Sequence, residues 1–228
     1  MGFLVLQGGA EFGGLMKISD LRALALAGGS DAVVSIIPAA AAPDNNHERA
    51  GENGRRWFES LGASRVSVIP LIDRPSAEDA RIVDALRQSK LIYLLGGFPG
   101  YLAKCLAGSP AWAAMKAALA QDGVLAGSSA GAMVLAEYLY DPAAKQVVAG
   151  LGLLPHACVL PHHNAFGHRW SAPLQRDLPG ATLIGIDEET GLINDAGQGR
   201  WKVYGRGRVT RYRQGLVTSY KPGTTLTI

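Results

Sequence analysis

A Gly-Ser-Ser-Ala-Gly segment at residues 127–131 carries the strongest chemical signal in this sequence. A short apolar run precedes it and a helix-compatible run, residues 132–140, follows it, which predicts a tight strand-to-helix turn. Such a turn holds its central residue, Ser129, in a strained conformation and exposes the hydroxyl beside backbone N–H groups. The pattern is typical of a nucleophilic serine, and it also fits an ordinary loop whose serine caps the next helix.

A nucleophilic serine needs a base, and two adjacent histidines, His162 and His163, follow an apolar run that ends at residue 160. Because the carboxyl ends of parallel strands meet at one edge of a sheet, this pair is expected near Ser129. Either imidazole could act as the base, and both could equally be solvated loop residues. No histidine follows His168, which argues against the Ser–acid–His order of the usual α/β-hydrolases.

Several carboxylates could orient the imidazole, and the residues alone do not choose among them. The candidates are Glu137, Asp141, Asp187, Glu188 and Glu189.

An oxyanion formed at the serine needs two N–H donors. One is expected from Ala130, the residue after the serine, and the other from Gly97, in a Gly-Gly loop that follows the apolar run 91–95. An ordinary tight turn is the alternative interpretation of that loop. The glycines at residues 8–13 lack the spacing of a dinucleotide fingerprint, and Cys105 and Cys158 fit no metal-binding spacing. The sequence therefore implies neither cofactor nor metal, and both cysteines are expected to be buried thiols in a reducing cytoplasm.

The elements that must position these residues alternate between strand and helix. Strands are predicted at 3–6, 32–37, 66–71, 91–95 and 124–126, with helices at 18–27, 55–61, 76–88 and 110–122 between them, and short strands at 183–186, 191–193, 201–204, 209–212 and 216–220. This order predicts a single α/β domain over residues 1–228, a three-layer, doubly wound, mostly parallel sheet with antiparallel C-terminal strands.

The amino-acid composition and the placement of charge indicate which classes of protein this chain can belong to. With 48% hydrophobic and 18% charged residues the chain can bury a core, and no apolar run is long enough to span a membrane. The N-terminus lacks the features of a signal peptide, which predicts a cytoplasmic protein. Basic residues gather after Asp195, but their alternation over 206–213 favours a solvated strand face over a nucleic-acid surface. Whether the chain forms a homodimer is left open.

The motifs together resemble peptidase family S51, which includes dipeptidase E and cyanophycinase and has the class I glutamine amidotransferase-like fold. The resemblance is carried by residues 94–97, 127–132, 159–163, 185–188 and 203–209. It implies a serine peptidase with Ser129 as nucleophile, His163 as base and Glu188 as the orienting carboxylate. His162 and Asp141 are the alternatives for the last two roles.

The resemblance also implies which positions form the substrate pocket, and several of these positions carry residues that differ from the family pattern. Phe98 and Pro99 stand where cyanophycinases carry a polar pair, and the arginine cluster after the histidine is reduced to Arg169 beside His168. A pocket formed by these four residues with His162 implies a small peptide or amide substrate, more apolar than that of cyanophycinase. A non-catalytic binding protein with the same fold is the alternative.

Overall fold

A computed structural model describes residues 2–228, which contain fourteen strands and seven α-helices. The strands are Phe3–Gln7 (β1), Val33–Ile37 (β2), Arg65–Val68 (β3), Leu91–Leu94 (β4), Val124–Ser128 (β5), Ala136–Asp141 (β6), Gln146–Ala149 (β7), Leu154–Leu160 (β8), Thr182–Ile186 (β9), Thr190–Ile193 (β10), Trp201–Gly205 (β11), Val209–Arg213 (β12), Leu216–Tyr220 (β13) and Thr225–Leu226 (β14). The helices are Met16–Leu26 (α1), His47–Ser60 (α2), Ala80–Gln88 (α3), Pro99–Leu106 (α4), Pro110–Ala120 (α5), Ala130–Val134 (α6) and Ser171–Asp177 (α7).

The larger sheet has the strand order β14-β11-β10-β1-β5-β4-β2-β3. Its five N-terminal strands run parallel, while β10, β11 and β14 extend it with antiparallel pairs. The predicted α/β fold, a mostly parallel sheet with antiparallel C-terminal strands, is confirmed. The apolar runs of β4 and β5 are buried along their whole length, as strands covered on both faces must be.

Alternate residues of these strands supply two separate cores. In β4, Leu91 and Tyr93 pack with α1 and α2 on one face, whereas Ile92 and Leu94 pack on the other face with α3 to α6. The second core also takes in residues of β8, β9 and β12.

Those strands belong to a second sheet of order β13-β12-β9-β8-β6-β7, which the sequence did not predict. The C-terminal strand candidates divide between the two sheets, because β9 pairs parallel with β8 and antiparallel with β12. A helix over residues 132–140 was also wrong, since α6 ends at Val134 and β6 follows. Pairing of β6 with both β7 and β8 outweighs the local helical propensity.

The predicted start of one helix, at residue 110, agrees with the structure, and that of another, at residue 76, does not. Ser109 caps α5, its hydroxyl accepting the Trp112 N–H at 3.0 Å. The expected helix start at Ser76 is instead a 3-10 turn, and α3 begins after Asp79, whose carboxylate accepts the Arg81 N–H at 2.8 Å.

Candidate active site

Ser129 lies on a sharp turn between β5 and α6. Its backbone is left-handed, with φ +49°, and its N–H donates to the Gln7 carbonyl at 3.0 Å. Glycines permit the turn, since a Cβ at Gly127 would lie 2.3 Å from the Gly131 carbonyl oxygen and one at Gly131 would lie 2.2 Å from that of Leu94. The segment therefore has the strand–turn–helix geometry that presents a serine hydroxyl at a sheet edge.

His162 is the imidazole that faces this hydroxyl, with Nε2 3.0 Å from Ser129 Oγ. It lies two residues after the end of β8, with φ +48°, and its N–H donates to the Gly8 carbonyl at 2.7 Å. The ring stacks on Phe166 at a centroid distance of 4.9 Å. On the other side a Cβ at Gly9 would lie 2.2 Å from the ring, so only glycine leaves room for the imidazole.

Glu188 bonds to the second ring nitrogen of His162 and so extends the hydrogen-bonded chain that begins at Ser129. Its Oε1 lies 2.8 Å from His162 Nδ1, and its backbone N–H donates to Asn164 Oδ1 at 2.8 Å. With Nδ1–H donating to the carboxylate, Nε2 is left free to accept the proton of the Ser129 hydroxyl. The arrangement can therefore activate a serine as a nucleophile.

The expectation that His163 faces Ser129 is not met. Its Nε2 lies 2.8 Å from the Tyr212 hydroxyl, and its Nδ1 lies 3.5 Å from Asp187 Oδ1. Side chains of successive residues leave a strand end on opposite sides, so only one of two adjacent histidines can reach the serine. His163 is the one directed into the second sheet.

Asp141 does not orient the imidazole either. It ends β6, where one carboxylate oxygen accepts the Ala143 N–H at 3.0 Å. The other oxygen lies against Gly100, where a Cβ would be 2.1 Å away.

The two residues expected to donate to an oxyanion both lie close to Ser129. Ala130 is the first residue of α6, where backbone N–H groups lack intrahelical partners. Gly97 lines the same cleft as Ser129 and has φ +136°, with a Cβ there only 2.1 Å from the Ala40 carbonyl oxygen.

The cleft above the hydroxyl has a volume of about 310 Å³. Its walls are largely apolar and are formed by Gly97, Pro99, Met133, Pro142, Phe166 and Trp170, beside Pro161 and the reacting side chains. Of the predicted pocket residues, Pro99 and His162 lie on this cleft. Phe98, His168 and Arg169 lie outside that lining, and His168 Nδ1 is 3.0 Å from the His163 carbonyl.

Glu11 is a site residue that sequence reasoning missed. Its Oε1 accepts the Gly96 N–H at 2.8 Å, in the loop that also carries Gly97. Burial raises the pKa of this carboxyl to about 7, against the lowering effects of Ser128 and the Gly96 N–H. Its place just after β1, at the same sheet edge as the serine turn, was the available signal.

A second buried carboxylate, Asp20, lies on α1 beneath this loop. It accepts from Gln7 Nε2 at 2.6 Å and from Trp57 Nε1 at 2.8 Å. Burial raises its pKa to about 6, and these two hydrogen bonds oppose the rise. Tyr93 donates to the Gln7 side-chain oxygen and so joins the same polar network.

The basic C-terminal residues are engaged in several local contacts. Arg206 pairs with Glu189 at 3.8 Å, and Arg211 donates to the Thr227 carbonyl while its guanidinium lies over the Tyr220 ring.

Within residues 2–228, no three His, Cys, Asp or Glu side chains converge as metal ligands would. None of the helices in that range is both long and apolar enough to cross a bilayer.

Fold and site define a class, the α/β proteins that carry a serine on a strand–helix turn facing a histidine–carboxylate pair. The sequence profile of Peptidase family S51 matches residues 4–200, and the chain belongs to that family.

Curated relatives are cyanophycinases. The chain is 30% identical over 179 residues to the cyanophycinase of Nostoc sp., covering 72% of this chain and 58% of that protein. The cyanophycinase of Geminocystis herdmanii is 28% identical over 175 residues, covering 72% and 63%. The chain thus spans less than two thirds of the length of these relatives.

Solved structures agree on the fold. A peptidase from an acI-B1 Actinobacterium superposes with a TM-score of 0.89 at 28% identity, over 100% of this chain and 97% of that one. A putative peptidase E protein from Listeria monocytogenes has the same fold, with a TM-score of 0.64 at 19% identity over 97% and 98%.

Proposed function

We propose that this protein is a serine-type peptidase or amidase with Ser129 as nucleophile, His162 as base and Glu188 as the orienting carboxylate. The observation that carries the proposal is the continuous chain from Ser129 Oγ through the His162 ring to Glu188 Oε1, at 3.0 and 2.8 Å. Membership of peptidase family S51 supports the reaction class.

In the proposed reaction, His162 Nε2 takes the hydroxyl proton as Ser129 Oγ attacks the substrate carbonyl. Glu188 stabilises the imidazolium that forms. The N–H groups of Ala130 and Gly97 receive the negative charge that develops on the carbonyl oxygen. His162 then passes its proton to the departing amine, leaving an acyl-serine. A water molecule, deprotonated by the same imidazole, attacks the acyl carbon, and His162 returns that proton to Ser129 Oγ as the acid leaves.

The cleft supports a small substrate with an uncharged side chain beside the scissile bond. Its volume of about 310 Å³ is at the low end for ligand pockets. Its lining contains neither lysine nor arginine, while the carboxylates of Glu11, Asp141 and Glu188 lie close to its edges. A carboxylate carried into this cleft would lose water without gaining a cationic partner.

The test of the catalytic proposal uses the wild-type protein and the Ser129→Ala variant. A fluorophosphonate probe is expected to label the wild type at Ser129, and the variant is expected to lose at least about a thousandfold in peptide hydrolysis. Hydrolysis that survives the substitution would contradict the assignment of Ser129 as the nucleophile. A wild type that neither reacts with the probe nor cleaves any peptide would favour the non-catalytic alternative.

The substrate class is tested with dipeptides and aminoacyl p-nitroanilides that differ only in the residue before the scissile bond. Leucyl and phenylalanyl substrates are expected to exceed aspartyl ones by about tenfold or more in kcat/KM. An aspartyl preference would contradict the substrate class and leave the catalytic residues standing.

A further inference from the structure

Glu11 lies directly behind the loop that holds one of the proposed oxyanion donors. Its Oε1 is 2.8 Å from the Gly96 backbone nitrogen. Gly96 is held between this carboxylate and the nucleophile, since a Cβ there would lie 2.6 Å from Glu11 Oε1 and 3.2 Å from Ser129 Cβ. The side chain therefore connects the loop after β1 to the loop after β4 at the point where both meet the serine turn.

We propose that Glu11 is a positioning residue of this site, which fixes the Gly96–Gly97 peptide so that the Gly97 N–H faces the oxyanion. The inference rests on the proposed serine chemistry and adds a residue that does not touch the substrate. Gly97 is already packed closely on its far side, against the Ala40 carbonyl. The hydrogen bond from Gly96 to Glu11 holds the loop from the opposite side, so the donor cannot drift away from the serine.

Removing the Glu11 carboxylate from water costs free energy, which indicates that its hydrogen bond with the Gly96 N–H is specific. Burial raises the pKa of the Glu11 carboxyl to about 7, which reflects a carboxylate poorly solvated in the fold. An apolar residue would avoid that cost but could not accept the Gly96 N–H. Because a carboxylate, a carboxylic acid and an amide all offer an accepting oxygen at the same reach, the positioning role depends on side-chain length and not on charge.

Two variants separate these properties. Glu11→Gln keeps the reach of the accepting oxygen and removes the charge, whereas Glu11→Asp keeps the charge and withdraws the oxygen by one methylene. Loosening a catalytic contact by about 1 Å can cost on the order of a hundredfold in rate. We expect Glu11→Gln to stay within about threefold of wild-type kcat, and Glu11→Asp and Glu11→Ala to lose about tenfold or more with little change in KM.

Asp20→Ala is the matched control, because it removes a nearby carboxylate that is also poorly solvated and that is hydrogen-bonded to Gln7 and Trp57, not to the loop at Gly96. It is expected to lower the melting temperature while leaving kcat unaltered. The rate of fluorophosphonate labelling at Ser129 provides a second readout that does not depend on the peptide substrate.

The possible results distinguish failure of the proposed function from failure of the positioning role of Glu11. Failure of the wild type to label or hydrolyse anything would defeat the proposed function itself. With an active wild type, the positioning role is overturned if Glu11→Asp keeps full kcat, or if Glu11→Gln is as slow as Glu11→Asp. It is also overturned if kcat falls in Asp20→Ala as far as in the Glu11 variants. Glu11→Asp retains most of the buried volume, so the comparison holds even where Glu11→Ala does not fold.

Discussion

Ser129 and His162, the proposed nucleophile and base, both hold their backbone in a conformation that most side chains avoid. Ser129 has φ +49° and His162 has φ +48°. Such conformations persist only where surrounding contacts impose them, here hydrogen bonds from the two N–H groups to the carbonyls of Gln7 and Gly8. The backbone after β1 thus holds the nucleophile and the base at the same time.

The adjacent histidines allow a direct test of which imidazole is the base. His162→Ala is expected to lose about a thousandfold or more in kcat/KM, because it removes the only imidazole hydrogen-bonded to Ser129 among residues 2–228. His163→Ala is expected to stay within about tenfold, since its ring contacts Tyr212 and Asp187. Steady-state kinetics of both variants measures kcat/KM, and equal losses of kcat/KM would contradict the assignment of His162 as the base.

The buried carboxyl of Glu11 predicts a pH-dependent stability. Its folded pKa of about 7 exceeds the usual 4.5, so the folded state binds more protons between these values and stability falls as pH rises through about 7. Glu11→Gln removes this titration. Relative to wild type, the variant should gain about 2 kcal/mol in unfolding free energy between pH 5 and pH 8.

Urea denaturation at the two pH values measures that gain. Asp20 titrates in both proteins, so the difference between them reports the removal of the Glu11 carboxyl together with its electrostatic effect on Asp20. Parallel pH profiles for the variant and the wild type would show that Glu11 is not the titrating group.

At the scale of elements, strand ends assemble the site. The loops after β1, β4, β5, β8 and β9 all meet where Ser129 lies. The sequence predicted all five of these strand ends, because each is an apolar run followed by a loop. Ser129 and the Gly96–Gly97 loop were predicted from such patterns, whereas Glu188 was chosen among five carboxylates only by the resemblance to peptidase family S51.

Other features depend on contacts between distant segments. Which of His162 and His163 faces the serine depends on the exact register at the end of β8, and a shift by one residue exchanges the two side chains. Glu11 reaches a partner 85 residues away, and its place just after β1 indicates the sheet edge but not that partner. The second sheet was missed because β6 takes its strand form only by pairing with β7 and β8.

A glycine pair tests how tightly the loop after β1 supports the imidazole. Gly9→Ala would place a methyl group 2.2 Å from the His162 ring at a residue with φ +105°, and is expected to lower kcat/KM by at least about tenfold. Gly13→Ala, in the same loop, meets no heavy atom within 4 Å and is expected to leave activity within about twofold. Kinetics and melting temperatures of both variants are compared, and equal activity would contradict the tight fit.

For the whole molecule, the two sheets meet at the site. Ser129 follows a strand of the larger sheet, while His162 and Glu188 follow strands of the smaller one. The His162 N–H bonded to the Gly8 carbonyl joins them at 2.7 Å. The proposed chemistry therefore requires both sheets to be packed together.

The global fold also predicts how the two cysteines respond to thiol reagents. Burial raises the pKa of Cys158 to about 12 and that of Cys105 above its usual value. Iodoacetamide is expected to leave activity intact and to modify both thiols only after denaturation, which mass spectrometry detects. Rapid loss of activity in the native protein would instead indicate a reactive cysteine.

The narrow cleft also decides what such an enzyme would leave uncut. A cleft of about 310 Å³ has room for a few residues of an extended peptide and not for a folded chain, so a native protein could reach Ser129 only through a flexible segment. Native proteins nearby, including other copies of this chain, would therefore be poor substrates. A concentrated preparation of the protein would therefore not cleave itself on storage, even while it hydrolysed short peptides.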